Sequence, residues 1–279
     1  MKEGGGVVRN EFEGMLRVVQ FNWPLYATAA GVVLVLLVLA SCSVFAGGMR
    51  VIFFFAAAFV LLQTVLSLLA SHWVYDRSAL KDWRFLLELV PAHLSVNAGK
   101  LGLCGEPGSG SQSDVESSLR IVSVHSGYDE TSGVLHQLFE KADIATIDLF
   151  SALGRREPSI VRARKLYPPS AKSICETVID WPLADSSVDL ILIAFAAHEI
   201  RDSAQRVLLF QQARQVLKQN GRIVFVEHVR DFANFVAFGP GFMHFLPLAE
   251  WIRCAAQSNL KIAKQYRITP LVAVLELCL

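Results

Sequence analysis

Charged side chains are absent from two long stretches of the chain. Residues 18–49 and residues 51–75 contain no Asp, Glu, Lys or Arg. Each stretch supplies about 20 apolar residues, which is enough to cross a hydrocarbon core ~30 Å thick. A secretory signal peptide does not fit, because its apolar region is shorter and no second full span follows it. The sequence therefore predicts a transmembrane helical hairpin over residues 24–71, with a tight turn at residues 47–50.

The chain also lacks a charge excess of either sign. It has 26 Lys and Arg against 25 Asp and Glu, and this balance gives no signal for a nucleic-acid partner. The basic residues near the two spans are unevenly placed: Lys2, Arg9 and Arg17 precede the first, Arg77, Lys81 and Arg84 follow the second, and Arg50 lies in the turn. The positive-inside rule then predicts two cytoplasmic ends. We expect a multi-pass protein of the inner (cytoplasmic) or another cellular membrane, with its C-terminal domain on the cytoplasmic side.

No pair of cysteines has the spacing of a metal motif or of a disulfide framework. The five cysteines are Cys42, Cys104, Cys175, Cys254 and Cys278. This scatter agrees with a reducing compartment. An HExxH zinc sequence is absent as well, so the motifs assign no metal ligand.

The composition divides the chain into five segments. Residues 1–23 are expected to be a cytoplasmic N-terminal segment before the hairpin at residues 24–71. Aromatic rings alternate with charges in residues 72–97, which favours an interfacial helix, with a plain cytoplasmic linker helix as the alternative. Residues 98–118 are rich in Gly and Ser and are typical of a flexible linker. Residues 119–279 form the C-terminal domain.

Strand and helix patterns alternate through the C-terminal domain. Strands are predicted at residues 121–125, 144–149, 171–178, 190–195, 222–228, 260–268 and 271–277, and helices at residues 131–141, 159–166 and 203–218. Repeated strand–helix units indicate an α/β fold, a doubly wound, Rossmann-like, seven-stranded sheet. In such a sheet the site lies at the carboxyl ends of the strands.

Several motifs of this domain resemble one enzyme family. Residues 181–192 read Trp-Pro-Leu-Ala-Asp-Ser-Ser-Val-Asp-Leu-Ile-Leu, and residues 216–224 contain Leu-Lys-Gln-Asn-Gly. These segments resemble the entries into the fourth and fifth strands of class I S-adenosylmethionine-dependent methyltransferases. Residues 238–244 and the Thr269-Pro270 tail are similar to members that methylate quinones, lipids or thiols. The resemblance implies S-adenosylmethionine as the cofactor.

The first strand departs from the family pattern because its loop is poor in glycine. The family has an acidic residue followed by G-x-G-x-G, whereas Ser123, His125, Gly127 and Asp129 occupy these positions here. Glycines there allow the backbone to approach the cofactor closely. We interpret the segment as an altered cofactor loop in which Gly127 makes the turn and His125 faces the pocket. Asp129 and Glu130 either receive the cofactor's ammonium group or cap the following helix.

Two further cofactor contacts are implied by the resemblance. Asp148 ends the second strand at the family's position for the acid that binds the ribose hydroxyls; the alternative is a solvated strand edge. The family's adenine-edge acid falls at Thr177, where Glu176 or Asp180 is a neighbouring substitute.

Histidines follow three strands that neighbour each other in a sheet of this type. They are His125, His198 and His228, accompanied by Glu199 and Glu227, and His244 lies where the chain can fold over them. Such a group can handle protons or bind a metal. A single histidine of this kind is more often a structural donor.

Three functions agree with these features. The first is a membrane-anchored methyltransferase for a small apolar or lipid-like acceptor, with His198 or His228 as the base and Glu199 beside them. The second is a catalytically silent methyltransferase-like subunit whose hairpin docks on a membrane-protein partner. The third is a metal-dependent enzyme that uses the edge formed by His125, His198 and His228.

Overall fold

The computed structural model describes residues 10–42, 44–90, 119–154, 156–169 and 173–279. The predicted linker at residues 98–118 lies outside the described residues, as do residues 1–9 and residues 91–97. The helices are α1 (Glu13–Phe21), α2 (Trp23–Ser41), α3 (Gly47–His72), α4 (Ser132–Leu138), α5 (Pro158–Leu166), α6 (Ser203–Val216), α7 (Phe232–Phe238) and α8 (Leu248–Gln257). The strands are β1 (Arg120–His125), β2 (Asp143–Asp148), β3 (Ser173–Cys175), β4 (Val188–Ala194), β5 (Leu217–His228), β6 (Lys261–Thr269) and β7 (Val272–Cys278).

Helices α2 and α3 form the predicted helical hairpin. Both are long and apolar enough to cross a membrane by length and composition, and α2 has no buried residue. The turn predicted at residues 47–50 lies earlier in the chain, since these residues form the first turn of α3. Arg50 in this first turn donates, through its Nε, a 2.8 Å hydrogen bond to the carbonyl of Ala40 near the end of α2. A carbonyl in the last turn of a helix has no partner within the helix. Arg50 of α3 therefore satisfies a backbone group that α2 itself leaves unpaired.

The chain after α3 differs from the interfacial helix expected over residues 72–97. One π-turn continues α3 through Trp73–Arg77, and a separate 3-10 turn follows at Arg84–Leu89. Trp83 between them has a φ of 55° and is almost fully buried, as is Leu86. These side chains pack in the protein core. Their apolar surface is more completely removed from water there than it would be in the lipid headgroup layer. We call residues 70–90 the hairpin foot.

The sheet has the expected doubly wound topology with seven strands. Their order is β3-β2-β1-β4-β5-β7-β6. The first five run parallel, and β7 is antiparallel to both β5 and β6. The carboxyl ends of β1, β4 and β5 therefore meet at one edge, as the sequence predicts.

The hairpin foot covers one face of this sheet. Val74, Trp83 and Leu86 belong to the same apolar cluster as Leu192 of β4 and Val226 of β5. On the other face, α6 and α8 pack over a second cluster. The hairpin and the C-terminal domain thus share a core and are not joined by the predicted linker alone.

A buried carboxylate fixes α1 against the hairpin foot. Asp76 accepts hydrogen bonds from the backbone N–H of Gly14, at 2.6 Å, and of Met15, at 3.0 Å. His72 Nδ1 lies 3.1 Å from the same carboxylate. Bonds to a charged acceptor are stronger than bonds between neutral groups. Asp76 therefore holds the start of α1 in place and directs this helix over the carboxyl ends of the strands.

Gly14 is the first testable position, because a Cβ there would lie 2.5 Å from Tyr75 Cβ and 2.7 Å from Asp76 Oδ1. We expect Gly14→Ala to lower the free energy of unfolding by roughly 1–3 kcal/mol, the usual cost of overpacking. Gly31→Ala is the matched control, since a Cβ at Gly31 meets no atom within 4 Å. Thermal unfolding of both variants in the same detergent measures the difference. Equal stability of the two variants would show that α1 does not pack against Tyr75.

Candidate functional site

A cavity of about 420 Å³ lies at the carboxyl ends of β1, β4 and β5. The sheet side contributes His125, Ser126, Phe195, His198, Glu199 and His228. The opposite wall comes from the N-terminal helices and the hairpin foot, through Gly14, Arg17, Phe21, Leu25, Tyr26, Ser67 and Tyr75. The candidate site is therefore closed by three parts of the chain that the sequence did not assign to the site: the N-terminal segment, the hairpin and the hairpin foot.

His198 is held between two carboxylates. Its Nδ1 lies 2.7 Å from Glu227 Oε2, and its Nε2 lies 3.2 Å from Glu199 Oε1. The backbone N–H groups of Ala197 and His198 donate to the other oxygen of Glu227. Burial opposes a charge on the ring, but the two carboxylates outweigh it and raise the pKa of His198 to about 10. At neutral pH this ring is charged, so His198 does not meet the expectation of a proton-accepting base.

Glu199 joins His198 to His244. Its Oε1 lies 3.1 Å from His244 Nε2. Burial favours the neutral acid, but the hydrogen bonds from the two histidines outweigh it and hold the pKa of Glu199 well below its usual range. The carboxylate is therefore charged, and its position at the cavity wall is the one that the sequence predicted.

His228 has the opposite electrostatic state. Its Nδ1 lies 3.0 Å from the carbonyl of Leu271, an acceptor, so Nδ1 carries the proton and Nε2 is the acceptor. Burial lowers the pKa of His228 to about 4, and the charge on His198 acts in the same direction. Tyr75 Oη of the hairpin foot lies 3.2 Å from Nε2. The unprotonated Nε2 of this neutral ring faces the cavity and can accept a proton, although a pKa of about 4 makes it a weak base at neutral pH.

The loop after β1 turns at Gly127, as predicted. Gly127 has a φ of 110°, and a Cβ there would lie 2.5 Å from Phe150 Cδ2, so the position requires glycine. The ring of His125 lines the cavity, and its Nδ1 accepts a hydrogen bond from the Gly127 N–H. Burial lowers the pKa of His125, although Asp129 and Asp148 oppose the shift. The ring is therefore neutral at physiological pH.

The two acids that follow this loop have different places. Asp129 accepts hydrogen bonds from the backbone N–H of Thr131, at 3.2 Å, and of Ser132, at 3.0 Å, at the start of α4. Glu130 lines the cavity. Of the two roles considered for this pair, capping fits Asp129, and Glu130 is the acid that faces the ligand space.

Asp148 lies beside His125 in the sheet register, with its carboxylate buried. It accepts a 3.0 Å hydrogen bond from the Phe150 N–H and forms an ion pair with Arg164, whose guanidinium lies 4.4 Å from the centre of the Phe150 ring. Arg164 therefore occupies the carboxylate that the resemblance assigns to the ribose hydroxyls. Asp180 is not among the residues that line the cavity, and its backbone N–H donates to Gln212.

Sequence reasoning missed the site residues of the N-terminal helices. Arg17 of α1 donates a 2.6 Å hydrogen bond to Tyr128 Oη on the loop after β1. Tyr75 lies in the segment for which the sequence predicts an interfacial helix, and Arg17 enters the sequence prediction only as a basic residue that sets the orientation. No local spacing identifies either residue, because each contacts the site across more than 100 positions of sequence.

Residues 126–225 match the profile of a family described as a methyltransferase domain. This confirms the resemblance seen in the sequence: this part of the chain is a methyltransferase domain with a Rossmann-like sheet, and its cofactor is S-adenosylmethionine. The expected enzyme class, an S-adenosylmethionine-dependent methyltransferase, agrees with the match. No curated protein matches the chain by sequence.

Solved structures of methyltransferases are also similar to this chain. One is a SAM-dependent methyltransferase from Aquifex aeolicus, 14% identical, with a TM-score of 0.43, covering 70% of this chain and 97% of its own. Another is a putative type 11 methyltransferase from Sulfolobus solfataricus, 18% identical, with a TM-score of 0.39, covering 57% and 83%. A third is an O-methyltransferase from neocarzinostatin biosynthesis, solved with S-adenosylmethionine and a naphthoic acid, 13% identical, with a TM-score of 0.42, covering 80% and 57%.

Asp148 provides a test of the cofactor site. If the ribose hydroxyls displace Arg164 from this carboxylate, Asp148→Asn and Asp148→Ala should weaken binding about tenfold or more, since a hydrogen bond to a charged group contributes roughly 1.5–3 kcal/mol. Asp143→Ala is the matched control, at the opposite end of the same strand and largely exposed. Calorimetric titration of S-adenosylmethionine into the full chain measures the affinity. Unchanged affinity in folded Asp148 variants would remove this residue from the site.

His228 provides a test through the pH dependence of stability. A histidine whose folded pKa of about 4 lies below its unfolded value of about 6.5 takes up a proton more readily in the unfolded chain. The stability that the neutral ring contributes is therefore fully present above about pH 6.5. As the pH falls towards 4, the free energy of unfolding decreases by up to about 3 kcal/mol on account of this ring. We expect His228→Gln to show a flatter decline than the parent over this window, while His136→Gln on α4 keeps the parental slope. Unfolding in detergent at pH 7 and pH 4.5 measures both, and parallel declines of parent and His228→Gln would contradict a neutral buried ring.

Proposed function

We propose that this protein is a membrane-anchored, S-adenosylmethionine-dependent methyltransferase that acts on a small apolar or lipid-like acceptor. The observation that supports the proposal is that the cavity wall is formed by two parts of the chain, the C-terminal domain and the hairpin. Strand ends and the loop after β1 supply one side, and Leu25, Tyr26 and Ser67 of the hairpin supply the other. The proposal places this cavity at the surface of the bilayer.

The cofactor side of the cavity is formed by the loop after β1. S-adenosylmethionine supplies a methyl group on a sulfonium, and the transfer requires alignment of the acceptor and exclusion of water. His125, Ser126 and Glu130 line this side. A carboxylate such as Glu130 suits the ammonium group of the cofactor, and side chains here replace backbone contacts that a glycine-rich loop would make.

His228 is the proposed proton acceptor. Its Nε2 is the unprotonated nitrogen, and the hydroxyl of Tyr75 next to it marks the place of an oxygen or sulfur nucleophile. His228 Nε2 would take the acceptor's proton as the acceptor receives the methyl group that S-adenosylmethionine would supply. His198 and Glu199 line the cavity next to His228. When no metal ion is bound, His198 carries a positive charge.

The acceptor side is apolar and close to the hairpin. Phe21, Phe238 and Phe245 line it together with Leu25 and Tyr26. Leu25 is 66% exposed and yet touches the cavity, so it stands at an opening towards the outer surface of α2. We propose that an acceptor dissolved in the bilayer enters here, without passing through water.

The proposed orientation follows from the basic residues at the outer ends of the hairpin. Both chain ends and the catalytic domain would face the cytoplasm. A cysteine introduced near Lys2 should react with an impermeant reagent only after the cells are permeabilised. Labelling in intact cells would contradict this orientation.

Leu25 allows a test of the acceptor route. Leu25→Trp should raise the KM for a lipid-like acceptor several-fold, because the larger side chain narrows the opening, while the affinity for S-adenosylmethionine stays unchanged. Leu34→Trp is the matched control, since Leu34 is similarly exposed, at 64%, on the same helix and does not line the cavity. Methyl transfer from labelled cofactor to an extract of membrane lipids, with the full chain in nanodiscs, measures the KM.

The same assay judges the proposed function as a whole. Transfer of label to an apolar product that is abolished in His228→Ala supports it. A full chain that binds no S-adenosylmethionine would instead favour a catalytically silent subunit, for which the occupation of Asp148 by Arg164 would be the structural reason. Equal KM values in Leu25→Trp and Leu34→Trp would sink the proposed route from the bilayer.

A further inference from the structure

We propose that His198, Glu199 and His244 form a binding site for one divalent transition-metal ion of the zinc class. The three side chains line the cavity and come from two parts of the chain, the turn after β4 and the segment after α7. Of the four histidines that the sequence placed near this edge, His198 and His244 belong to the cluster, whereas His125 and His228 lie outside it. The catalytic role of the ion rests on the proposed function, whereas the binding site for the ion does not.

The distances between the three groups suit a common ion. Glu199 Oε1 lies 3.2 Å from His198 Nε2 and 3.1 Å from His244 Nε2. One ligand atom from each residue lies within 4.8 Å of the other two. Two ligand atoms bound ~2.1 Å from one ion are about 3 to 3.5 Å apart at tetrahedral or octahedral angles. Two imidazoles and one carboxylate also favour zinc-class ions over magnesium or calcium.

Both histidines have a second carboxylate behind them. His198 Nδ1 lies 2.7 Å from Glu227, and His244 Nδ1 lies 3.1 Å from Glu157. A carboxylate on one ring nitrogen fixes the tautomer and directs the other nitrogen to the metal, as is usual for metal-bound histidines. Here the two Nε2 atoms converge on a single oxygen of Glu199.

An independent observation comes from the other oxygen of Glu199. The residue is only 3% exposed, and its Oε2 has no hydrogen-bond partner within the described part of the chain. A buried carboxylate oxygen without a partner costs free energy. An ion bound at the cluster would give this oxygen the positive charge that it lacks.

Arg201 is the competing cation. Its Nη1 donates a 2.8 Å hydrogen bond to the His244 carbonyl, and its Nη2 lies 3.0 Å from His244 Nε2. Its side chain is 40% exposed, so it can turn towards solvent. The cluster contains the carboxylate of Glu199 and contacts those of Glu157 and Glu227, and the charge of the three favours a dication over a single guanidinium.

The ion would bring a Lewis acid to the acceptor side of the cavity. With three protein ligands, the positions that remain face the same space as His228. An acceptor oxygen bound there would lose its proton more readily and would be fixed in position. Glu227 and Glu157 would then be positioning residues for the two histidine ligands.

Zinc titration of the full, metal-stripped chain in detergent tests the site without using activity. We expect one zinc ion per chain in the parent, and a loss of affinity of at least about 100-fold in Glu199→Gln and His244→Ala, beyond the 10–100-fold typical of an outer-shell change. Glu227→Gln should fall within that outer-shell range. Arg201→Ala should bind zinc more tightly than the parent, because a competitor is removed. His136→Ala, a histidine of α4 outside the cavity, is the matched control and should bind like the parent.

Cobalt supplies a second readout that a structural role would not move. Co²⁺ bound by the parent should give visible absorption bands that vanish in His244→Ala, while thermal unfolding shows that the variant is folded. No zinc binding by the parent, or equal binding by the parent and Glu199→Gln, overturns the proposal and leaves an ion-pair network. Methyl transfer is assayed on the same samples. Zinc binding without methyl transfer would contradict the proposed function and leave the metal site standing. Methyl transfer without zinc binding would contradict the metal site and leave the proposed function standing.

Discussion

Burial of the hairpin foot on one face of the sheet is the interaction on which the other features depend. Val74, Trp83 and Leu86 are almost fully buried in the same cluster as the central strands. A fully buried large apolar side chain contributes on the order of 1.5–3 kcal/mol. This packing places Tyr75 at the cavity beside His228 and places Asp76 where it can hold α1. The second wall of the site follows from a hydrophobic contact rather than from any polar group in it.

Two histidines at the same sheet edge have opposite charge states because their neighbours differ. His198 lies between Glu227 and Glu199, and His228 faces the carbonyl of Leu271 among aromatic rings. Both rings are buried, so desolvation acts on each in the same direction. At His198 the two carboxylates outweigh desolvation, whereas at His228 desolvation outweighs the hydrogen bond to Leu271. In the protein without a metal, one edge of the sheet therefore carries a charged ring and a neutral acceptor within the same cavity.

The sequence predicts the sheet and the hairpin well because both depend on local patterns. Continuous apolar runs such as β4 specify buried parallel strands, and uncharged stretches specify long apolar helices. The meeting of His198 and His228 at one edge follows from strand order. The contacts of Tyr75 and Asp76 were not predictable, since each depends on a partner more than 60 positions away. The ion pair of Arg164 with Asp148 was not predictable either, because it depends on the exact packing of side chains. The interfacial helix was misjudged for the same reason, because a Trp such as Trp83 suits a lipid headgroup layer and a protein core equally well.

The shared core also determines how the C-terminal domain would behave without the hairpin foot. A chain that began at Leu119 would lack the foot and would present the side chains of Leu192 and Val226 to solvent, together with the rest of their cluster. A contiguous apolar patch of this kind leads soluble proteins to aggregate. Insolubility of such a fragment would therefore reflect a missing piece of its interior, and it would say nothing about whether the enzyme works at a membrane.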